Sequence, residues 1–282
     1  MTAQVIDGAA LATKWREELV REISALGFRP SVAALHNETD SANRVYMKRQ
    51  RSLCDKSGIE YKVHPITAQT PEREVLDLIG RLNADPGVHG ITVHQPLPAS
   101  YDSARILAAV SPSKDIEAAH PENLGRLSFG EHYPAPCAAS AAVALARSVR
   151  PSFRGLEAVV VGRSPYIGKA IAAILLQSKK EAPTPTICHT ATPDLGLHTR
   201  RADLLFVATG RAGLVRGEMV KPGATVIDVG INVLPDGKIT GDVVFEEAVQ
   251  VAAHITPVPG GVGPVTHAIL LKNILACVRK TS

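Results

Sequence analysis

The chain has 282 residues, 45% of them hydrophobic and 21% charged, with a formal net charge of +4. That length fills one large domain or two ordinary ones, and the composition is that of a globular protein with ample core. A charge this mild and scattered suits a small anionic ligand and argues against nucleic acid. No apolar run nears the ~20 residues that span a bilayer, and "MTAQVIDGAALATKWREEL" holds no apolar signal core, so a cytoplasmic location is expected. Cys54, Cys137, Cys188 and Cys277 lie far apart with no Cys-x-x-Cys pair. This predicts separately packed, reduced thiols and no zinc or other metal site.

In chain order, residues 9–26 predict an amphipathic helix with Leu11, Trp15, Leu19, Ile23 and Leu26 on one side. "SVAAL" (31–35) predicts a buried strand. In "VYMKRQRSLC" (45–54) a helical period aligns Tyr46, Gln50, Leu53 and Cys54 on one stripe, while Lys48, Arg49 and Arg51 look away. An uncharged Gln therefore occupies the stripe expected to be buried. "EYKVHPI" (60–66) predicts a second strand, "EREVLDLIGRLNAD" (72–85) a helix with Leu76, Ile79 and Leu82 inward, and "GITVHQPLP" (90–98) a third strand. Such alternation predicts an α/β fold with a parallel sheet covered by helices.

Residues 111–140, rich in Pro, Gly and polar groups, predict a cleft-lining connection between two lobes. "RGLEAVVVGRSPYIGKAIAAILLQ" (154–177) restarts as strand, glycine turn and helix, and 184–190, 202–210 and 223–232 are further buried-strand candidates. "TPVPGGVGP" (256–264) is too rich in Pro and Gly for helix or strand, and a last helix is expected over 265–280.

Three stretches carry chemistry. In "VVVGRSPYIGK", Gly162 follows an apolar strand and Gly168 opens a helix, so backbone N–H groups can approach a phosphate. The spacing is not Gly-x-Gly-x-x-Gly, and an ordinary strand–helix turn fits it as well. A NAD site places an acid at the end of the next strand. Here that strand ends "CHTAT"; Arg163 with the Thr190 hydroxyl suits a 2′-phosphate, which favours NADP. "TPVPGGVGPVTH" makes a rigid surface for a planar ligand, or a plain loop before the last helix. His94 and Gln95 fall at the end of a predicted parallel strand, where ligands of open α/β sheets sit. Taken alone, His94 also reads as a satisfied structural residue, and Glu117 in "KDIEAAHP" as a surface acid.

On "TPVPGGVGP" (256–264), "DVGIN…DGKITGDVVFEEA" (228–248), "GRSPYIGK" (162–169), "QPLP" (95–98) and "ENLGRL" (122–127), the chain resembles the bifunctional methylenetetrahydrofolate dehydrogenase/cyclohydrolase family from end to end. The resemblance implies an α/β fold of two lobes with folate in the cleft between them, assembled as a homodimer. An N-terminal αβ lobe with a parallel sheet is implied over 1–140, completed by the helix at 265–282. A Rossmann-like NADP-binding lobe is implied over 141–264. Cofactor contacts are implied for Gly162, Arg163, Ser164, Ile167, Gly168, His189, Thr190, Thr209, Gly210, Gly230 and Ile231. Contacts to a tetrahydrofolate substrate are implied for Tyr46, Gln50, Gln95, Pro96, Leu97, Glu117, Pro259, Gly260, Gly261 and His267.

In that family a helix carries Tyr-x-x-x-Lys, its Tyr stacking on the folate and its Lys serving as the ionisable group of the cyclohydrolase step. Here Tyr46 matches the Tyr and Gln50 stands at the Lys position. The family's Gln before Leu-Pro-Leu-Pro falls on His94, and the following Leu on Gln95. The second Asp of its Asp-Val-Asp-Gly, which holds the pterin, falls on Glu117, and the Gly on Ala118. The last two positions of its Pro-Cys-Thr-Pro are Ala138 and Ala139, and an apolar position of the last helix is His267. The cofactor turn keeps Gly162, Arg163, Ser164 and Gly168, with Pro165 and Tyr166 unusual in it.

The departures gather on the folate side, with Tyr46, Gln50, His94 and Glu117 as the catalytic candidates. Three readings follow. The first is an NADP-dependent methylenetetrahydrofolate dehydrogenase whose cyclohydrolase step is lost or strongly reduced. The second is an enzyme that passes the methylene group to another acceptor. The third is a non-catalytic folate or nucleotide sensor.

Overall fold

A computed structural model describes residues 2–130 and 134–281; residues 131–133, inside the expected connection, lie outside the described residues. The chain divides into two compact units. One comprises Met1–Thr13, Leu127–Glu131 and Pro136–Ile269; the other comprises Lys14–Arg126, His132–Ala135 and Leu270–Ser282.

The chain opens with β1 (Gln4–Val5) and α1 (Gly8–Ser24). The second unit is built on a three-stranded parallel sheet of β2 (Ser31–Asn37), β3 (Glu60–Ile66) and β4 (Gly90–Val93), with β2 in the middle. Every residue of β2 is buried, as a central strand covered on both faces requires. Helix α2 (Ser41–Lys56) starts on Asp40, whose carboxylate accepts from the Asn43 N–H at 2.7 Å. Its period delivers Gln50 and Cys54 to the interior and leaves Lys48, Arg49 and Arg51 exposed, as predicted. Helix α3 (Glu72–Ala84) buries Val75, Ile79 and Leu82. Leu76, expected inward, is only partly buried, because the stripe at spacings of four and three runs through Val75 instead.

Two expectations are corrected here. Strand β4 ends at Val93 rather than running to residue 98, because Pro96 and Pro98 cannot extend a ladder. The connection at 111–140 is largely helical: after α4 (Ser103–Ala109) come α5 (Pro121–Ser128) and α6 (Cys137–Val149). Pro121 suits a first helical position, and the Ala-rich α6 sequence is a strong helix former.

The other unit holds a six-stranded parallel sheet in the order β1-β11-β8-β7-β5-β6. Its strands are β5 (Glu157–Val161), β6 (Thr184–Cys188), β7 (Leu204–Val207), β8 (Thr225–Asp228) and β11 (His254–Ile255), besides β1. Helices α7 (Gly168–Leu175), α8 (Leu195–Thr199) and α9 (Phe245–Ala248) punctuate them. Val159, Leu205, Val226 and Ile255 build the core. From β5 the chain steps to β6 on one side and returns to β7 on the other, so the winding reverses at β5.

The expected strand at 223–232 is β8 followed by a separate hairpin, β9 (Asn232–Val233) with β10 (Ile239–Thr240). The last helix, α10 (Val262–Thr281), begins three residues earlier than expected. Pro264 sits in its first turn, where no intrahelical N–H is needed. Residues Met1–Thr13, expected in the N-terminal lobe, fold with the large sheet because β1 pairs with β11. No helix among the described residues is long and apolar enough to cross a membrane.

Candidate functional site

Four side chains from four segments of the second unit meet around Gln50. The helical period of α2 aims Gln50 inward, and its side chain is fully buried. Gln50 Nε2 donates to Glu117 Oε1 at 2.7 Å. On its other side, Tyr61 of β3 donates its hydroxyl to Gln50 Oε1 at 2.8 Å. His94, just past β4, places Nε2 at 3.0 Å from the same Oε1 and 3.1 Å from the Tyr61 hydroxyl. A carbonyl oxygen only accepts, so His94 Nε2 carries the ring proton. Its Nδ1 is buried and has no hydrogen-bond partner. Tyr46, partly exposed on α2, sets its ring edge-on to His94 with centroids 5.3 Å apart, and its hydroxyl lies 3.5 Å from Glu117 Oε1.

Burial, with a smaller contribution from nearby His36, pushes His94 down to about 4, so the imidazole is neutral at neutral pH. Burial raises the Tyr61 phenol and pushes the Cys54 thiol up to about 12. Glu117 is carried by a turn that Asp115 organises. Asp115 accepts from the backbone N–H of Glu117 (3.2 Å) and His120 (2.8 Å) and from Asn123 Nδ2 (3.0 Å). The next residue, Ala118, has a φ of 54°, a left-handed conformation that costs an L-residue roughly 1–2 kcal/mol. Gln95 and Pro96 are exposed and Leu97 is buried.

In the other unit, the expected cofactor residues follow the carboxyl ends of four adjacent strands. Gly162 follows β5, His189 and Thr190 follow β6, Thr209 and Gly210 follow β7, and Gly230 and Ile231 follow β8. Open α/β sheets bind ligands at this edge, where the winding reverses. Gly162 has a φ of 128°, and a Cβ there would collide with the Ala208 carbonyl oxygen, so only glycine fits. Gly168 opens α7, with Ile167 at its N-cap. Arg163 is exposed, and its guanidinium takes part in no ion pair or side-chain hydrogen bond among the described residues. Ser164 accepts at Oγ from the Tyr166 N–H. Thr190 is exposed too, and no acid closes β6. A free cation beside a helix N-terminus, with no competing carboxylate at β6, fits a phosphorylated dinucleotide.

Two carboxylates lie beneath these loops. Asp242 Oδ2 accepts from the Thr209 N–H, the Thr209 hydroxyl (3.0 Å) and the Gly210 N–H (3.0 Å), while its Oδ1 accepts from Asn232 Nδ2 (2.9 Å). Asp228 accepts from the N–H groups of Gly230 (2.9 Å), Asp242 (3.1 Å) and Val243 (2.9 Å). A side chain at Gly230 would collide with Asp242. Burial raises Asp228 to about 6, with the Asp242 charge adding to it against the three N–H bonds.

Of the expected folate-side residues, Tyr46, Gln50, His94 and Glu117 come together. Pro259, Gly260 and Gly261 precede α10, and His267 lies on it, partly buried. Tyr61, Asp115, Asp228 and Asp242 were not singled out from the sequence. A phenol on the inward set of a half-buried strand needs a partner, which was the available signal for Tyr61. Among the described residues no group of three or more His, Cys, Asp or Glu side chains is placed to hold a metal.

Residues 6–117 match the tetrahydrofolate dehydrogenase/cyclohydrolase catalytic domain, and residues 136–282 match the NAD(P)-binding domain of the same name. The chain is 44% identical over its whole length to a bifunctional protein FolD from Bordetella avium, covering 99% of that protein. It superposes on the bifunctional enzyme FolD of Campylobacter jejuni with a TM-score of 0.93 at 38% identity, covering 99% of both chains. A Trypanosoma brucei methylenetetrahydrofolate dehydrogenase-cyclohydrolase, solved with NADP cofactor and inhibitor, gives a TM-score of 0.93 at 35% identity, over 99% of this chain and 98% of that one. With both of its domains matched and its full length covered, the chain belongs to the tetrahydrofolate dehydrogenase/cyclohydrolase family.

Proposed function

We propose that the protein is an NADP-dependent 5,10-methylenetetrahydrofolate dehydrogenase in which the cyclohydrolase step is lost or strongly reduced. The observation that carries this reading is the amide of Gln50, buried and bonded to Glu117, Tyr61 and His94. The Campylobacter jejuni and Trypanosoma brucei enzymes named above carry both activities in their names; the reading departs from them at one step.

The dehydrogenase step moves a hydride from the methylene carbon, and NADP, when bound, supplies its acceptor. The developing iminium is stabilised by the folate's own N5 and N10, so this chain's task is to position the substrate. Tyr46 offers a partly exposed ring for stacking, and Glu117, gripped by Gln50 at 2.7 Å, offers a carboxylate to N–H donors of the pterin. Arg163 and Thr190 suit the 2′-phosphate, with Gly162, Ser164, Ile167 and Gly168 forming the turn before α7. We place His189, Thr209, Gly210, Gly230 and Ile231 around the same cofactor, and Gln95, Leu97, Pro259 to Gly261 and His267 around the folate.

Hydrolysis of the methenyl product asks for something else: water must lose a proton and a ring nitrogen must gain one. Gln50 has no usable proton. His94, held at about 4, is neutral and commits its one N–H to Gln50, and Tyr61 is pushed upward. Lys48 points to the opposite, exposed side of α2. The free, buried cysteines suit a reducing cytoplasm, and the family resemblance supports a homodimer.

The test is turnover of methylenetetrahydrofolate with NADP beside decay of methenyltetrahydrofolate. Reduction of NADP is expected, with hydrolysis down by ~10²–10⁴-fold, the usual cost of a missing acid–base group. Gln50→Lys alone should fail to restore hydrolysis, and partial recovery is expected when His94→Gln and Glu117→Asp are added. Hydrolysis matching the dehydrogenase rate in the unmutated protein would refute the loss. Binding of both ligands without any NADP reduction would refute the dehydrogenase and leave the methylene-transfer enzyme or, where no acceptor substrate is found, the sensor.

A further inference from the structure

Glu117 lies on no helix or strand, yet its carboxylate meets Gln50 at 2.7 Å. Something else must set where it points. The chain just before it runs beside β4 through a single parallel bridge, Ile91 with Asp115. There the Ile91 N–H donates to the Lys114 carbonyl at 2.6 Å, and the Ile116 N–H to the Ile91 carbonyl at 3.3 Å. One bridge is a short hold, and two buried side chains add to it.

Lys114 is only 6% exposed. Its ammonium donates to the carbonyls of Leu82 (3.1 Å), Asn83 (2.8 Å) and Asp85 (2.7 Å). These groups close α3, where carbonyls lack an intrahelical donor and the helix dipole favours a cation. An ammonium has three protons, and all three are engaged here. The segment is thereby pinned to α3. Asn273 of α10 is fully buried. Its Nδ2 donates to the carbonyls of Ile116 (2.8 Å) and Ala135 (2.9 Å), and its Oδ1 accepts from the Ala135 N–H (3.3 Å). The Ile116 carbonyl and the Glu117 N–H belong to one peptide group, and Asp115 holds the N–H. That peptide is fixed at both ends. The next residue, Ala118, keeps its left-handed φ of 54°, which an alanine does only where its surroundings impose it.

We propose that Lys114 and Asn273 are positioning residues for the folate: anchored to α3 and α10, they fix the peptide entering Glu117 and so aim its carboxylate at the pterin. The pterin contact rests on the reading of Glu117 given above; the anchoring does not.

Titration of tetrahydrofolate and of NADP against the full chain tests this. Glu117→Gln should weaken tetrahydrofolate about tenfold or more, the effect of losing a charge-assisted contact. Lys114→Met should weaken it by about tenfold as well and leave NADP within about twofold. In the Glu117→Gln background, Lys114→Met should cost less than about twofold more, because it acts through that carboxylate. A loss equal in both backgrounds would overturn the proposal, and so would lower thermal stability with tetrahydrofolate affinity unchanged. If Lys114→Met does not fold, Asn273→Ala, which frees the Ile116 carbonyl, gives the same cycle. Unchanged affinity in Glu117→Gln itself would sink the pterin contact. Hydrogen exchange at the Glu117 amide then decides the anchoring alone. It should be about tenfold faster in Lys114→Met or Asn273→Ala, and an unchanged rate would overturn it.

Discussion

Gln50, Tyr61, His94 and Glu117 in one unit bond to each other through side chains, whereas Asp228 and Asp242 in the other bond mainly to backbone N–H groups. The difference decides what each cluster can tolerate. A network of side chains can be rewritten residue by residue while the strands and helices that carry it stay put. A buried carboxylate that gathers N–H groups from two loops sets the shape of those loops, and no other side chain reproduces it. The positions read from the sequence as departures from the family's motifs include Gln50, His94 and Glu117 of the first cluster. The strings around Asp228 and Asp242 are among those that carry the resemblance.

The largest effect is expected at the carboxylate that holds the loops. Asp242→Ala would strip acceptors from Thr209, Gly210 and Asn232. Asp242 is fully buried while its donors are partly exposed, so at about 1 kcal/mol per lost hydrogen bond the melting temperature should fall on the order of 10 °C. Hydrogen exchange at the Thr209 and Gly210 amides should accelerate in the same variant. A fall of only about 1 °C would erase the contrast between the two clusters.

A smaller effect, confined to ligand choice, is expected at the exposed cation. Arg163→Ala should remove a charge-assisted phosphate contact of ~1.5–3 kcal/mol, and with it a preference of about tenfold or more for NADP over NAD. Titration of both cofactors against both proteins measures it. Equal affinities in the unmutated protein would contradict the assignment.

The smallest effect sharpens the comparison through pH. His94 is lowered from 6.5 to about 4 on folding, so its contribution to stability is present above pH 6.5 and lost as pH falls towards 4. Asp228 is raised from 3.8 to about 6, so its contribution is full below pH 3.8 and lost as pH rises through 6. The two clusters thus pull in opposite directions over nearly the same window. Between pH 7 and 4, the melting temperature of the wild type should fall relative to His94→Gln and rise relative to Asp228→Asn. Calorimetry on the three proteins decides it, and parallel shifts would show that one of the two groups titrates normally.

Local patterning carried much of the architecture. The run "EYKVHPI" matches β3 from end to end because its apolar and β-branched content is a local property. Gly168 was placed at the start of α7 by the strand before it and the apolar period after it. Local patterning failed where neighbours decide. Asn232 and Val233 pair with a hairpin partner rather than prolonging β8, and Met1–Thr13 fold with the large sheet through a strand 250 residues away in sequence, since Gln4 pairs with His254.

The candidate site divides the same way. The 3.6-residue period alone put Gln50 on the buried stripe of α2 and its three cationic neighbours outside, because that geometry belongs to one helix. The partners of Gln50 lie 11, 44 and 67 residues along the chain, in Tyr61, His94 and Glu117. Periodicity says nothing about distances between segments that far apart. Which way the amide faces, and which nitrogen of His94 holds the proton, depend on the donors and acceptors that the sheet and the Asp115 turn bring around it. Only the tertiary structure assembles those groups.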